Sequence, residues 1–218
     1  GGEPTVYKHL IEIIRYLKRN KINITLITNG VLLSDAKFLD TLINNGVNNI
    51  SISLKGENEE IYKDITGVDC YNKVMEAINN CSKKNIKFSV SMVLTNENIN
   101  TYTEGLKDAY LAGARNFNLS FCYEFNLTKE YNDYLSKSNP KDIIDGFVKS
   151  YNELDRITNH RFNLFQTFPL CLWDKDFIDL LVKRNQVSSV CQLQTKSGLL
   201  FDTFGNIIPC NAMFELKL

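Results

Sequence analysis

Residues 22–30 read INITLITNG, a short run of aliphatic and β-branched residues that ends in a turn dipeptide. A run of this kind, closed by Asn29-Gly30, predicts a β-strand followed by a tight turn. Strand-like runs begin again near residues 50, 86 and 117, and sequence with helical periodicity separates each of them from the next. This alternation predicts βα units whose strands form one parallel sheet.

Polar residues follow the strands of this predicted sheet. In parallel α/β folds, ligands bind beyond the carboxyl ends of the strands. The candidates at or near those ends are Thr28, Asn29, Ser51, Ser53, Lys55 and Asn96. Their hydroxyl, amide and ammonium groups suit a polar ligand. Ordinary turn chemistry after each strand explains the same residues equally well.

The chain opens with Gly1-Gly2-Glu3-Pro4, directly before a helical stripe of apolar residues. Two glycines allow a close approach of the backbone to a ligand, and a neighbouring carboxylate can hold an ammonium group. Pro4 suits the entrance of a helix. The alternative is a solvated, frayed terminus.

The six cysteines fall into two groups, and the later group is the informative one. No secretion signal precedes them, so metal ligands or reduced thiols explain them better than a disulfide framework does. A glycine turn at Gly205 can fold a hairpin that brings Cys191 and Cys210 together, and Cys171 can supply a third ligand. Thiolates of this kind bind iron–sulfur clusters or zinc. Buried free thiols are the alternative.

Composition excludes some classes of partner. The 218 residues contain 25 Lys and Arg against 25 Asp and Glu, so no surplus of positive charge attracts nucleic acid or an anionic membrane. No apolar run is long enough for a transmembrane helix. Without a secretion signal, the sequence predicts a cytoplasmic protein.

The motifs and their order resemble those of radical S-adenosylmethionine (SAM) enzymes with a C-terminal auxiliary-cluster domain of the SPASM or twitch type. Gly1-Gly2-Glu3-Pro4 is similar to the GGEP motif, which binds the methionyl amino group of SAM in that family. Thr28-Asn29-Gly30 is similar to the TNG that ends the next strand. Ser51 and Ser53 match the strand that contacts the ribose and carboxylate of SAM, and Asn96 follows the strand near the adenosine.

The resemblance to this family continues in the last part of the chain. The spacing from Cys191 through Gly205 to Cys210 is similar to the auxiliary motif, in which Gly-x4-Cys follows a cysteine after a variable gap. The resemblance implies an α/β fold, with a partial (β/α)6 TIM-like barrel over residues 1–160 and a small, incomplete auxiliary-cluster domain over residues 161–218.

The resemblance also implies the chemistry. A reduced [4Fe–4S] cluster cleaves SAM, and the resulting 5′-deoxyadenosyl radical abstracts hydrogen from the substrate. The auxiliary domain, which holds a further iron–sulfur cluster, points to modification of a peptide or protein. A reductant such as ferredoxin or flavodoxin would be the redox partner.

Two departures from the family pattern stand out. In the family, a Cys-x3-Cys-x2-Cys loop lies upstream of GGEP, and nothing precedes Gly1 here. We therefore expect that the chain is truncated at its N-terminus and inactive by itself. Lys55 stands where many relatives have Asp, and Thr66-Gly67 where many have Arg-Gly. Lys55 is thus a candidate substitute for contacts with the SAM carboxylate.

Two other functions fit some of the same residues. A barrel lyase or aldolase could use Lys55 as a Schiff-base amine, since a strand end is a suitable position for it. A module that binds an iron–sulfur cluster or zinc without catalysis would explain the late cysteines.

Overall fold

The computed structural model of the chain describes residues 2–121, 139–165, 168–188, 195 and 198–208. Within these residues, six parallel strands form one sheet in the order in which they occur in the sequence. They are β1 Thr25–Thr28, β2 Asn49–Ser53, β3 Lys87–Leu94, β4 Phe117–Phe121, β5 Phe162–Phe165 and β6 Val187–Ser188. The four predicted strands and their parallel arrangement are confirmed, and the sheet is that of a partial TIM-like barrel.

Helices connect the strands. They are α1 Leu10–Arg19, α2 Ala36–Asn45, α3 Glu59–Thr66, α4 Tyr71–Lys83, α5 Tyr102–Leu111, α6 Pro140–Ile157 and α7 Lys175–Lys183. Side-chain caps start several of them, because the first N–H groups of a helix have no partner within the helix. The capping residues are Asp35, Asn58, Asn139 and Asp174. In the described part of the chain, no helix combines the length and the apolar character that crossing a membrane requires.

The two faces of the sheet differ. Side chains alternate along a strand, so neighbouring residues point to opposite faces. In β2, Ile50 and Ile52 are buried in the core shared with the helices, whereas Ser51 and Ser53 are half-buried on the other side. We call this second side, which none of the described helices covers, the open face.

Strands β5 and β6 were not predicted from the sequence. Both are short, and β6 has only two residues, so neither has a clear periodic pattern. They pair with the sheet, which therefore continues beyond the predicted boundary at residue 160. The division into two domains stays a prediction.

The predicted hairpin near the end of the chain is confirmed. Strands β7 Leu200–Phe201 and β8 Ile207–Ile208 pair in antiparallel fashion. The carboxylate of Asp202 closes the turn by accepting hydrogen bonds from the backbone N–H groups of Phe204 and Asn206.

A buried carboxylate fastens α6 to the elements that follow it. Asp155 accepts hydrogen bonds from Nδ1 of His160 at 2.8 Å, from Arg184 at 2.7 Å and from the buried amide of Gln186 at 2.6 Å. Burial of Asp155 favours its neutral form. The hydrogen bonds from His160 and Gln186, with the charges of His160 and Arg184, outweigh burial and lower its pKa. This carboxylate therefore joins α6 to the start of β6 as an anion.

Two glycines with a left-handed backbone provide a matched test of packing at the end of β1. Gly30 has φ +81°, and a Cβ atom there would lie 2.8 Å from Cγ2 of the buried Ile52. Gly67 has φ +76°, and a Cβ atom there would have no neighbour within 4 Å.

We expect Gly30→Ala to lower the free energy of unfolding by about 2–3 kcal/mol, because it adds a core clash to the backbone strain. Gly67→Ala should cost about 1 kcal/mol from strain alone. Urea unfolding of both variants measures the difference. Equal losses of unfolding free energy in the two variants would show that Ile52 moves away from the added methyl group at no cost in stability.

Candidate functional site

The carboxylate of Glu3 joins the first residues to the carboxyl end of β1. Its Oε1 accepts hydrogen bonds from the backbone N–H of Thr5 at 3.1 Å, from the Thr5 hydroxyl at 2.6 Å and from the Thr28 hydroxyl at 2.6 Å. Its Oε2 accepts one from the backbone N–H of Asn29 at 2.7 Å. The predicted GGEP and TNG segments are therefore in direct contact.

These donors keep Glu3 ionised. Partial burial opposes ionisation, but the hydrogen bonds from Asn29, Thr28 and Thr5 outweigh it and lower the pKa of Glu3. A carboxylate has about four acceptor positions. Since Oε1 already accepts three hydrogen bonds, Oε2 is the oxygen with capacity left for the predicted ammonium contact. In the structure, Glu3 joins the N-terminal segment to the end of β1.

The glycine segment itself is open. Gly2 is exposed, and a Cβ atom there would have no neighbour within 4 Å in the described part of the chain. Its backbone is accessible to a ligand on that side. Gly1 lies outside the described residues. Pro4 opens a 3₁₀ turn, Pro4–Val6, as its position before a helix predicted.

Thr28 and Asn29 act on the protein itself. Thr28 is 2% exposed, and its hydroxyl donates to Glu3 and accepts from the backbone N–H of Gly30 at 3.1 Å. The side-chain oxygen of Asn29 accepts from the backbone N–H of Val31 at 3.0 Å. Both side chains hold the turn and the Glu3 carboxylate in place, and their predicted contact with a cofactor stays a prediction.

The other predicted residues lie on or beyond β2 and β3. Ser51 and Ser53 are half-buried on the open face. Lys55 and Asn96 follow β2 and β3, respectively, and both are half-buried. Because β1, β2 and β3 are adjacent parallel strands, their carboxyl ends and the Glu3 anchor share one edge of the sheet.

Sequence reasoning missed Asn98, which shapes the turn after β3. This residue is 2% exposed, and its side chain accepts from the backbone N–H of Thr95 and donates to the carbonyl of Val93, both at 2.9 Å. An Asn three residues after a Thr at a strand end is the signal that could have identified it. The hydroxyl of Thr95 is buried and has no hydrogen-bond partner among the residues that the structure describes.

The predicted metal ligands are only partly described. Cys171 is exposed on the 3₁₀ turn Leu170–Leu172. Cys191 and Cys210 lie outside the described residues. Among the residues that the structure does describe, no group of three or more His, Cys, Asp or Glu side chains is arranged to hold a metal ion. The predicted auxiliary site stays a prediction.

Two shallow clefts lie at the opposite edge of the sheet, where the strands begin. Lysine and asparagine side chains such as Lys21, Asn48 and Lys87 line them. Ligands in parallel α/β folds bind at the carboxyl ends of the strands, so these clefts are separate from the candidate site.

The part of the chain that contains these site residues matches the model of a known protein family. The model described as the radical SAM superfamily matches residues 1–109, which include Glu3, Thr28, Ser53 and Lys55. The chain belongs to the radical SAM superfamily. Membership implies SAM and a [4Fe–4S] cluster as cofactors.

Curated relatives match a part of the chain. A probable GTP 3′,8-cyclase of Sulfurisphaera tokodaii is 33% identical over 139 residues, which are 63% of this chain and 44% of the relative. A GTP 3′,8-cyclase of Clostridium perfringens is 35% identical over 98 residues, which are 43% of this chain and 29% of the relative. The matched region thus spans less than half the length of these radical SAM relatives.

Solved structures match almost the whole chain in fold. Streptococcus suis SuiB bound to the precursor peptide SuiA aligns with a TM-score of 0.67 at 16% identity, over 97% of this chain and 48% of that one. The enzyme anSMEcpe with bound AdoMet and the Kp18Cys peptide aligns with a TM-score of 0.63 at 21% identity, over 97% and 59%. At these identities the likeness establishes the radical SAM fold alone.

The described residues fit SAM but do not supply the cluster. At the carboxyl edge they offer an open glycine backbone, small hydroxyl side chains at Ser51 and Ser53, and the ammonium group of Lys55. These groups complement the amino group, hydroxyls and carboxylate of SAM. The unpartnered hydroxyl of Thr95 lies at the same edge. No described metal-binding cluster accompanies them.

Proposed function

We propose that the protein binds SAM at the carboxyl edge of β1–β3 and directs radical chemistry at a substrate over the open face. The observation that carries this proposal is the Glu3 carboxylate, which holds the glycine segment against Thr28 and Asn29. When bound and reduced, the [4Fe–4S] cluster supplies the electron that cleaves SAM to a 5′-deoxyadenosyl radical. The chain's own residues bind SAM, fix its orientation and exclude water from it.

We propose a peptide or protein as the substrate. This proposal is supported by the likeness in fold to SuiB, solved with a precursor peptide, which extends over 97% of the chain. The names of the curated relatives favour a second candidate, cyclisation of GTP, at the same site.

We also propose that Cys171, Cys191 and Cys210 help to hold an auxiliary iron–sulfur cluster in a SPASM or twitch-type region. Cys171 is exposed, so its thiol is accessible to a metal. The SAM-cleaving cluster would take its ligands from the family's Cys-x3-Cys-x2-Cys loop, a motif that residues 1–218 do not contain. A one-electron donor such as ferredoxin or flavodoxin would reduce the clusters.

Anaerobic reconstitution of the full-length protein with iron and sulfide tests this function. With dithionite and SAM, we expect formation of 5′-deoxyadenosine, and more iron than one [4Fe–4S] cluster contains. Zinc without iron, or no SAM cleavage, would favour a non-catalytic module instead.

The same assay separates the two substrate classes. GTP should remain unchanged in the presence of SAM and dithionite if the substrate is a peptide. Conversion of GTP to a cyclised product, detected by mass spectrometry, would overturn the peptide proposal and support the second candidate.

A further inference from the structure

Four polar residues lie side by side across the open face of the sheet. The strand register pairs Ser53 with Ser91, Ser91 with Asn118, and Asn118 with Asn163. We call these four residues the polar row. Neighbouring strands are about 4.8 Å apart, so the row extends about 14 Å from β2 to β5.

The polar row faces away from the core. Its neighbours along the strands, such as Ile52, Met92 and Leu164, are buried in the core shared with the helices. Barrel interiors are usually filled by bulky aliphatic side chains. Serine and asparagine are smaller and more polar than such residues, so the row presents hydrogen-bonding groups on the open face.

Asn118 is the free group at the middle of this row. It is exposed, and within the described parts of the chain its side chain makes no hydrogen bond. Asn163, beside it, donates to the hydroxyl of Ser188 at 3.0 Å, which fixes its orientation. An asparagine amide offers a donor and an acceptor in one plane, which is the complement of another amide.

The four side chains of the polar row carry no charge. The next residues toward the carboxyl edge on this face are Val93, Ser120 and Phe165, which the register also places side by side. On the described strands of this face, the ammonium group is that of Lys87, at the start of β3 and beside Asn49. Lys55 lies beyond the end of β2, where its proposed partner is the carboxylate of SAM. A triphosphate requires cationic partners, whereas a peptide group does not.

We propose that Asn118 and the polar row bind an uncharged amide of a peptide substrate, with Phe165 and Val93 contacting its apolar side chains. This inference rests on the proposed function, because it places the peptide beside SAM at the carboxyl edge. Asn118 then determines the substrate class: it selects an amide over an anion.

Ligand-observed saturation-transfer NMR with the full-length protein and SAM tests the inference. The probes are an uncharged, capped Ala-Ser hexapeptide, GTP and guanosine. We expect the peptide to receive saturation and Asn118→Leu to weaken its binding about tenfold, because two hydrogen bonds are lost. The matched control is Asn49→Asp, on the same face but at the strand-start end, which should bind the peptide as the wild type does.

The outcomes separate this inference from the function on which it rests. If SAM itself receives no saturation in the wild type, the proposed function fails. If SAM binds but the peptide binds equally to the wild type and Asn118→Leu, the inference alone is wrong. If guanosine binds and Asn118→Leu abolishes its signal, the row recognises a nucleobase and the peptide assignment is overturned. Retained SAM binding in each variant shows that the variant is folded.

Discussion

Replacing Glu3 with glutamine should weaken SAM binding by about tenfold or more. Charge-assisted hydrogen bonds are the strong ones, and the substitution removes the charge that Thr5, Thr28 and Asn29 now share. The side-chain NH₂ group of the introduced glutamine would also face N–H and O–H groups that need a hydrogen-bond acceptor. The glycine segment would then lose its fixed position at the end of β1. Equilibrium dialysis with SAM and the full-length protein measures the effect.

The matched control for this prediction is Glu12→Gln. Glu12 is also an N-terminal glutamate, but it is exposed and contacts His9 on the surface. We expect its loss to leave SAM affinity unchanged. If Glu3→Gln binds SAM as tightly as Glu12→Gln does, the Glu3 carboxylate is not the anchor of the cofactor site. Circular dichroism of both variants establishes whether either change disturbs the fold.

Replacing Asp155 with alanine should lower the free energy of unfolding by about 3 kcal/mol. The substitution leaves the buried amide of Gln186 without its acceptor and removes the ionic partner of Arg184. Arg184 and His160 are partly exposed, so water replaces some of their lost contacts and limits the cost. Urea unfolding at pH 7 provides the measurement.

The stabilisation by Asp155 should depend on pH in a defined direction. Its folded pKa is lowered below the unfolded value near 4, so its contribution is fully present above pH 4 and is lost as the pH falls through the folded pKa. The gap in unfolding free energy between wild type and Asp155→Ala should therefore narrow below about pH 4.

Asp145→Ala is the control for both Asp155 measurements. Asp145 forms an exposed ion pair with Lys141 on α6, worth about 0.5 kcal/mol or less. Two results would contradict the role of Asp155 in fastening α6. One is a difference in unfolding free energy between wild type and Asp155→Ala that does not change with pH. The other is a loss of unfolding free energy as small as that of Asp145→Ala.

The sequence predicts the first part of the sheet well. The runs that became β1 to β4 have aliphatic or alternating patterns and clear turn residues between them, such as Asn29-Gly30. Such local patterns report directly on strand and turn preferences. Strands β5 and β6 lack them, because a short strand is stabilised by its neighbours in the sheet more than by its own residues.

The sequence predicts the site only in part. A motif can be recognised from residue types alone, but the contacts that its residues make depend on the folded structure. The sequence singles out Glu3 and Thr28, yet it assigns both to a ligand. In the structure they bind each other across 25 positions of sequence. Asn98 and Asp155 have no motif, and their roles depend on backbone and side-chain groups brought to them by folding.

By itself, the sequence determined the βα alternation and the superfamily motifs, because both depend on short-range spacing along the chain. It also predicted the edge of the sheet at which a ligand would bind. The tertiary structure alone decided that Glu3 anchors the glycine segment and that Ser53, Ser91, Asn118 and Asn163 form one row. Those residues lie on separate strands, and the register that aligns them is set by backbone hydrogen bonds between strands and by burial of the opposite face.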